Sequence, residues 1–245
     1  MHTSNYLYYH GELECHGYLA YDDRIEVQRP VVLVLHDWSG RNEFACKKAE
    51  QLAKLGYIGF ALDMYGQGRL GETKDEKVAL MSPLMADRGL LRSRILAAFD
   101  AVQELPEVLP KNTAAIGFCF GGLCALDLAR SGVEVKGVVS FHGLLDAPTD
   151  VNKHPIKAKV LALHGYDDPM TSPEKLLDFA NEMTEASVDW QVHAYGLTQH
   201  AFTNPLAHDQ EAGLIYSPKA EKRALEAMVY FLDELFGEND TKNLE

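Results

Sequence analysis

The chain has 245 residues, 47% of them hydrophobic and 24% charged, as in globular proteins that bury a core without disulfide staples. Its formal net charge is -13, from 23 Lys and Arg against 36 Asp and Glu, and an acidic surface with no basic run argues against nucleic acid as a partner. No apolar stretch approaches the ~20 residues that span a bilayer, so no membrane partner is expected either.

In chain order, segments 5–10 and 12–21 read as two antiparallel strands. The polar, aromatic start, Met1–His10, lacks the pattern of a signal peptide. Val31–Leu35 is a continuous apolar run, the mark of a strand covered on both faces. Residues 43–55 place Phe44, Ala45, Ala49, Leu52 and Ala53 at helical spacing, with Gly56 in the position that ends a helix. Tyr57–Leu62 is a further strand. Residues 75–104 read as helix, divided into two near Ser82-Pro83 and Asp87–Gly89. A strand at Thr113–Phe118 leads into a helix that ends near Arg130. Val135–Phe141 and Lys159–Leu163 are strands. Ser172-Pro173 supplies an N-cap and a first-turn proline for a helix to about Ala186. Val188–Tyr195 is the last strand and Lys219–Phe236 the last helix.

This alternation implies a mostly parallel sheet with helices on both faces, an α/β fold. No repeat or linker divides the chain, so residues 1–245 form one expected domain, with 238–245 as a frayed tail. In such sheets the chemistry gathers beyond the C-terminal ends of the strands.

Gly117-Phe118-Cys119-Phe120-Gly121-Gly122 follows a strand and opens a helix. It has the spacing of a nucleophile elbow with cysteine in place of serine. Glycines two residues either side of Cys119 leave room for the tight turn, and the helix amides face the nucleophile. A nucleophile needs a base, and the base an orienting acid. Two strand ends supply them in the order nucleophile, acid, histidine: Asp168, after Val160–Leu163, and His200, after the strand ending near Tyr195. Asp167 is the rival acid, one residue nearer its strand. His142 also follows a strand end and either lines the pocket or simply packs; His164 reads as a core histidine. The cysteines Cys15, Cys46, Cys119 and Cys124 form no CxxC pair, and no histidine pattern matches a zinc motif. No metal is expected, and the cysteine usage suggests a reducing, cytoplasmic setting.

Together with Gly165-Tyr166-Asp167-Asp168-Pro169, His200-Ala201-Phe202-Thr203-Asn204-Pro205 and Asp63-Met64-Tyr65-Gly66, the cysteine elbow resembles the dienelactone hydrolase (carboxymethylenebutenolidase) family over nearly the whole chain. The resemblance implies an α/β-hydrolase fold, a Cys119–His200–Asp168 triad and no cofactor. It also implies hydrolysis of lactone, enol-ester or activated ester bonds through a thioester acyl-enzyme, with a small ester or lactone as partner. The amides of Trp38 and Phe120 would form the oxyanion hole. Asp37 stands where the family usually has a glutamate beside the thiol. Asn204 stands where an arginine for a substrate carboxylate is expected; Lys77, Arg88 and Arg92 of the helical segment could supply positive charge instead, but each reads first as a solvated helix residue. A carboxylesterase or thioesterase using the same triad, and a non-catalytic binder on the same fold, are the competing expectations. The sequence leaves the oligomeric state open.

Overall fold

The computed structural model describes residues 1–149 and 154–237, so the expected tail at 238–245 lies outside the described residues. Ten strands and six helices follow one another among them. The strands are β1 (His2–His10), β2 (Leu13–Tyr21), β3 (Arg29–Leu35), β4 (Ile58–Ala61), β5 (Val108–Phe118), β6 (Gly137–Phe141), β7 (Lys159–Gly165), β8 (Trp190–Tyr195), β9 (His208–Asp209) and β10 (Leu214–Ile215). The helices are α1 (Glu43–Lys54), α2 (Lys74–Ala86), α3 (Arg88–Gln103), α4 (Phe120–Arg130), α5 (Pro173–Glu185) and α6 (Pro218–Phe236).

The main sheet runs β1-β2-β4-β3-β5-β6-β7-β8. β1 and β2 pair antiparallel and β2 joins β4 antiparallel; from β4 to β8 every neighbour is parallel. The apolar run of β3 divides between two cores by the strand period of two. Val31, Leu33 and Leu35 face the core shared with α3, α4 and α5, while Val32 and Val34 face the one shared with α1 and α6. Both faces are therefore sealed, and the C-terminal strand ends are left to carry polar groups.

Helix boundaries follow local chemistry. Asn42 caps α1 through its side chain, which accepts from Ala45 N. Thr73 and Glu76 form a reciprocal capping box at the start of α2. Pro83 sits inside α2 without ending it. The break comes at Asp87, whose carboxylate accepts from Leu90 N at 2.8 Å and so starts α3. Ser172 stands at the cap position of α5 but makes no side-chain capping bond; Pro173 alone marks that start. The β9–β10 hairpin carries no signal in the sequence, since each of its strands has only two residues.

Six cationic side chains are buried among the described residues: Arg29, Lys48, Arg88, Arg92, Arg94 and Arg130. Only three carboxylates share that burial, Asp63, Asp127 and Asp168. Asp127 of α4 takes both forks of Arg88 from α3, at 2.6 and 2.7 Å. Arg130 of the same helix holds Glu182 of α5 at 2.6 Å and the Leu145 carbonyl at 2.9 Å. This network ties three helices together on the face that supports the elbow. It also corrects the expectation for the cations: Arg88 is committed to Asp127, and Arg92 lines a separate cleft beside Arg130.

Candidate active site

Six loops meet beyond the C-terminal ends of the sheet. The elbow between β5 and α4 is the sharpest. Cys119 holds φ 56° and ψ -116°, a left-handed conformation rarely used by a residue with a Cβ. Its amide donates to Phe141 O at 3.0 Å, which fixes the turn against β6. Gly117 lies so close to Gly121 that a Cβ there would fall on the Gly121 carbonyl. A Cβ on Gly121 would in turn fall on the carbonyls of Leu35 and His36. These two glycines let the first turn of α4 press against the end of β3 and the loop that follows it.

Asp168 sits in the turn after β7, wholly buried, and His200 in the loop after β8. Asp168 Oδ2 accepts from His200 Nδ1 at 2.7 Å, and its Oδ1 accepts from Met170 N at 2.8 Å. Asp167, the rival acid, is exposed and only its amide is engaged, with Thr198 O. His164 is buried and donates from Nε2 to Thr171 O at 3.1 Å, bracing the acid turn from beneath. Two later amides hold the histidine loop: Ile215 N donates to His200 O and Ser217 N to Phe202 O. Gly213 packs onto Pro169, closing the histidine lobe on the acid turn.

His200 Nδ1 is thus occupied, and its buried Nε2 closes no hydrogen bond with the described residues. Burial alone would lower the basicity of the ring. The charge of Cys119 and the bond to Asp168 overcome it and push His200 up to about 10. Catalytic hydrogen bonds are often loose before substrate binds.

A cavity of about 480 Å³ opens over Cys119 and His200. Trp38, Phe44, Leu70, Phe118, Met170 and Leu214 make its apolar wall, and Asp37, Glu72, Lys77, His142, Asn204 and Asp209 its polar one. Asp37 lines it, with Oδ1 accepting from Ser39 N at 2.8 Å in a local turn. Asn204 lines it too, its Oδ1 engaged by Leu206 N at 3.0 Å. Lys77 Nζ lies 5.5 Å from the centroid of the Trp38 ring. His142 lines the cavity and packs edge to face on His200, centroids 5.2 Å apart. Its Nε2 pairs with Thr203 Oγ1 at 2.8 Å. Burial, reinforced by the charge of His200, holds His142 well below the ordinary histidine range, so it stays neutral.

Two groups escaped the sequence reading. His36 is buried at the end of β3, and Tyr65 is buried in the loop after β4. The available signal was a polar residue closing an otherwise apolar strand, Val31 to His36. Among the described residues no cluster of His, Cys, Asp and Glu is arranged to hold a metal ion, and no helix is long and apolar enough to cross a membrane.

A sequence profile of the dienelactone hydrolase family matches residues 15–236. The crystal structure of a dienelactone hydrolase-like promiscuous phosphotriesterase from metagenomic libraries superposes with a TM-score of 0.90 at 36% identity, covering 96% of this chain and 99% of that one. An uncharacterised protein of Caenorhabditis elegans is 34% identical over 62% of this chain and 99% of its own. The dienelactone hydrolase of Anabaena variabilis, at 24% identity and a TM-score of 0.67, covers 94% of this chain and 97% of its own; it shares the fold.

Proposed function

The chain belongs to the dienelactone hydrolase family, and on that premise we propose that it is a cysteine-dependent hydrolase of uncharged lactones, enol esters and activated esters. The observation that carries the reading is the buried 2.7 Å pair of His200 Nδ1 and Asp168 Oδ2, which leaves Nε2 for Cys119. In the forward step Nε2 takes the thiol proton and the thiolate attacks the carbonyl carbon. The oxyanion is met by the amides of Trp38 and Phe120. Phe120 is the first residue of α4, so its amide is among those without an intrahelical partner. The carbon–oxygen bond to the leaving group breaks, and that oxygen takes the proton from His200. Water then gives its proton to Nε2 and attacks the thioester, releasing the acid and restoring the thiol.

Cysteine suits good leaving groups. A thiolate is expelled from the tetrahedral adduct more readily than a poor alkoxide, which favours activated esters and enol esters. The cavity wall supports the charge preference. Asp37, Glu72 and Asp209 line it against the one ammonium of Lys77. Substrates carrying a free carboxylate meet this wall unfavourably. Asn204 offers them no charge.

The metagenomic relative named for phosphotriesterase activity supports a second substrate class for the same site, aryl phosphotriesters. A phosphoryl oxygen gathering charge needs the same two amides. The test is a panel of aryl esters, enol esters, lactones, thioesters and phosphotriesters, each with and without a carboxylate. Cys119→Ala should abolish turnover, and iodoacetamide should label Cys119 ahead of the other cysteines. Full turnover in Cys119→Ala sinks the mechanism; saturable binding without turnover in the unaltered protein would instead mark a binder.

A further inference from the structure

The geometry points to His36 as a positioning residue for the oxyanion hole: its neutral ring fixes the direction of the Trp38 amide, with Tyr65 holding the far side of the same residue. This rests on the hydrolase reading above.

The hydrogen-bond inventory settles the roles of the ring. A backbone amide only donates, and Met64 N donates to His36 Nε2 at 3.1 Å. Nε2 is therefore the unprotonated nitrogen. A backbone carbonyl only accepts, and Asp37 O lies 2.5 Å from His36 Nδ1. Nδ1 carries the proton and donates it there. Both ring nitrogens are used, each in the one role its partner permits.

Asp37 O belongs to the peptide unit whose other end is the Trp38 N–H. That unit is planar and trans, so its C=O and N–H point in opposite directions. Anchoring the carbonyl on His36 sets where the N–H must point. Donation to the carbonyl also polarises the amide and strengthens its N–H as a donor.

Tyr65 completes the clamp. Its hydroxyl donates to Trp38 O at 2.9 Å, fixing the next peptide along. Its ring packs edge to face on His36, centroids 4.9 Å apart. It also stacks on Phe120 at 6.1 Å and 19°, so one side chain touches both residues whose amides meet the oxyanion. Asp63 sets the base of this loop. Its carboxylate accepts from Tyr65 N, Gly66 N, Gly68 N and His16 N at 2.8 to 3.1 Å. The Asp63-Met64-Tyr65-Gly66 segment thus acts on catalysis at one remove. Burial lowers the affinity of His36 for a second proton, and the Tyr65 phenol is raised by its own burial. Both stay in the required state around neutral pH.

The test separates ester turnover from thiol reactivity, because alkylation by iodoacetamide builds no oxyanion. His36→Leu should lower kcat for an activated aryl ester by roughly tenfold to a hundredfold, somewhat less than outright loss of an oxyanion donor. KM and the rate of Cys119 alkylation should change by less than about threefold. His36→Asn puts an amide nitrogen where Nδ1 was and should restore most of the lost kcat. Three results overturn the inference: an unchanged kcat in His36→Leu, a parallel fall of turnover and alkylation, or no recovery in His36→Asn. If His36→Leu does not fold, Tyr65→Phe decides. It removes only the bond to Trp38 O, and an unchanged kcat there is equally fatal. A wild-type protein that neither turns over esters nor labels at Cys119 would refute the nucleophile itself, a separate outcome.

Discussion

Asp168→Asn is the most informative substitution at this site, because the structure dictates how the new amide must sit. Met170 N donates to Oδ1 of Asp168 at 2.8 Å, so the asparagine must turn its oxygen there. Its NH2 then faces His200 Nδ1, where Oδ2 now accepts at 2.7 Å. Nδ1 is forced to accept, the proton moves to Nε2, and the ring can no longer receive the thiol proton. In serine enzymes the wrong tautomer costs about 10⁴ in kcat. A thiol ionises more readily than a serine hydroxyl, so a loss of about 10²–10⁴ is expected here. Asp168→Ala leaves Nδ1 without any imposed tautomer and should be no worse than the isosteric asparagine. The assay is kcat and KM for an activated aryl ester from pH 5 to 9, alongside the alkylation rate of Cys119. In Asp168→Asn the alkylation of Cys119 should slow together with turnover, because the ring can no longer take its proton. Wild-type turnover in Asp168→Asn, with an unmoved alkylation profile, would refute the assignment of the acid.

Three further outcomes are expected. Gly121→Ala places a methyl on the carbonyls of Leu35 and His36, pushing α4 from the Trp38 loop; a shift near 1 Å can cost about a hundredfold in kcat, and wild-type kinetics would contradict the close approach. Asp127→Ala removes the buried carboxylate that Arg88 and Arg130 share, a loss of about 3–5 kcal/mol. At ~2–4 °C per kcal/mol for a chain of this size, the Tm should fall by about 6–20 °C, and a fall below about 2 °C would dismiss the network as a stabilising element. Finally, His36, His142 and His164 are buried with depressed proton affinity. Their stabilisation is present above pH 6.5 and fades as pH falls, at up to about 4 kcal/mol per unit for three groups. His200 has the opposite sign: raised to about 10, it stabilises fully below pH 6.5, and its contribution is lost as pH climbs from there through about 10. Urea midpoints should peak near neutrality, and an equal midpoint at pH 7 and 5.5 would contradict three buried neutral rings.

The architecture was largely legible because doubly covered strands leave continuous apolar runs, as in Val31–Leu35 and Val160–Leu163. The elbow was legible because its glycines are steric requirements that no other residue meets. Asp168 emerged over Asp167 only as a preference, since adjacent carboxylates differ by where the turn points them. What stayed hidden depends on packing across the chain. β5 begins at Val108 rather than Thr113, with Lys111 at φ 63° and exposed residues between. Polar, proline-containing Leu109–Asn112 carries no strand signal. The support from His36 and Tyr65 was invisible for the same reason: it lies in hydrogen bonds between residues some 27 or 28 positions apart.

The unequal burial of charge has a consequence at the surface. With six cations inside and three carboxylates, the described residues leave the surface about three charges more negative than the total of -13. An approaching molecule first feels the net charge of -13, and close to the surface it lies nearer the exposed carboxylates than the buried cations. A neutral ester diffuses in unaffected, while an anionic one is slowed at low ionic strength and relieved as salt is added. The acidic balance of the chain thereby biases which molecules arrive at the thiol.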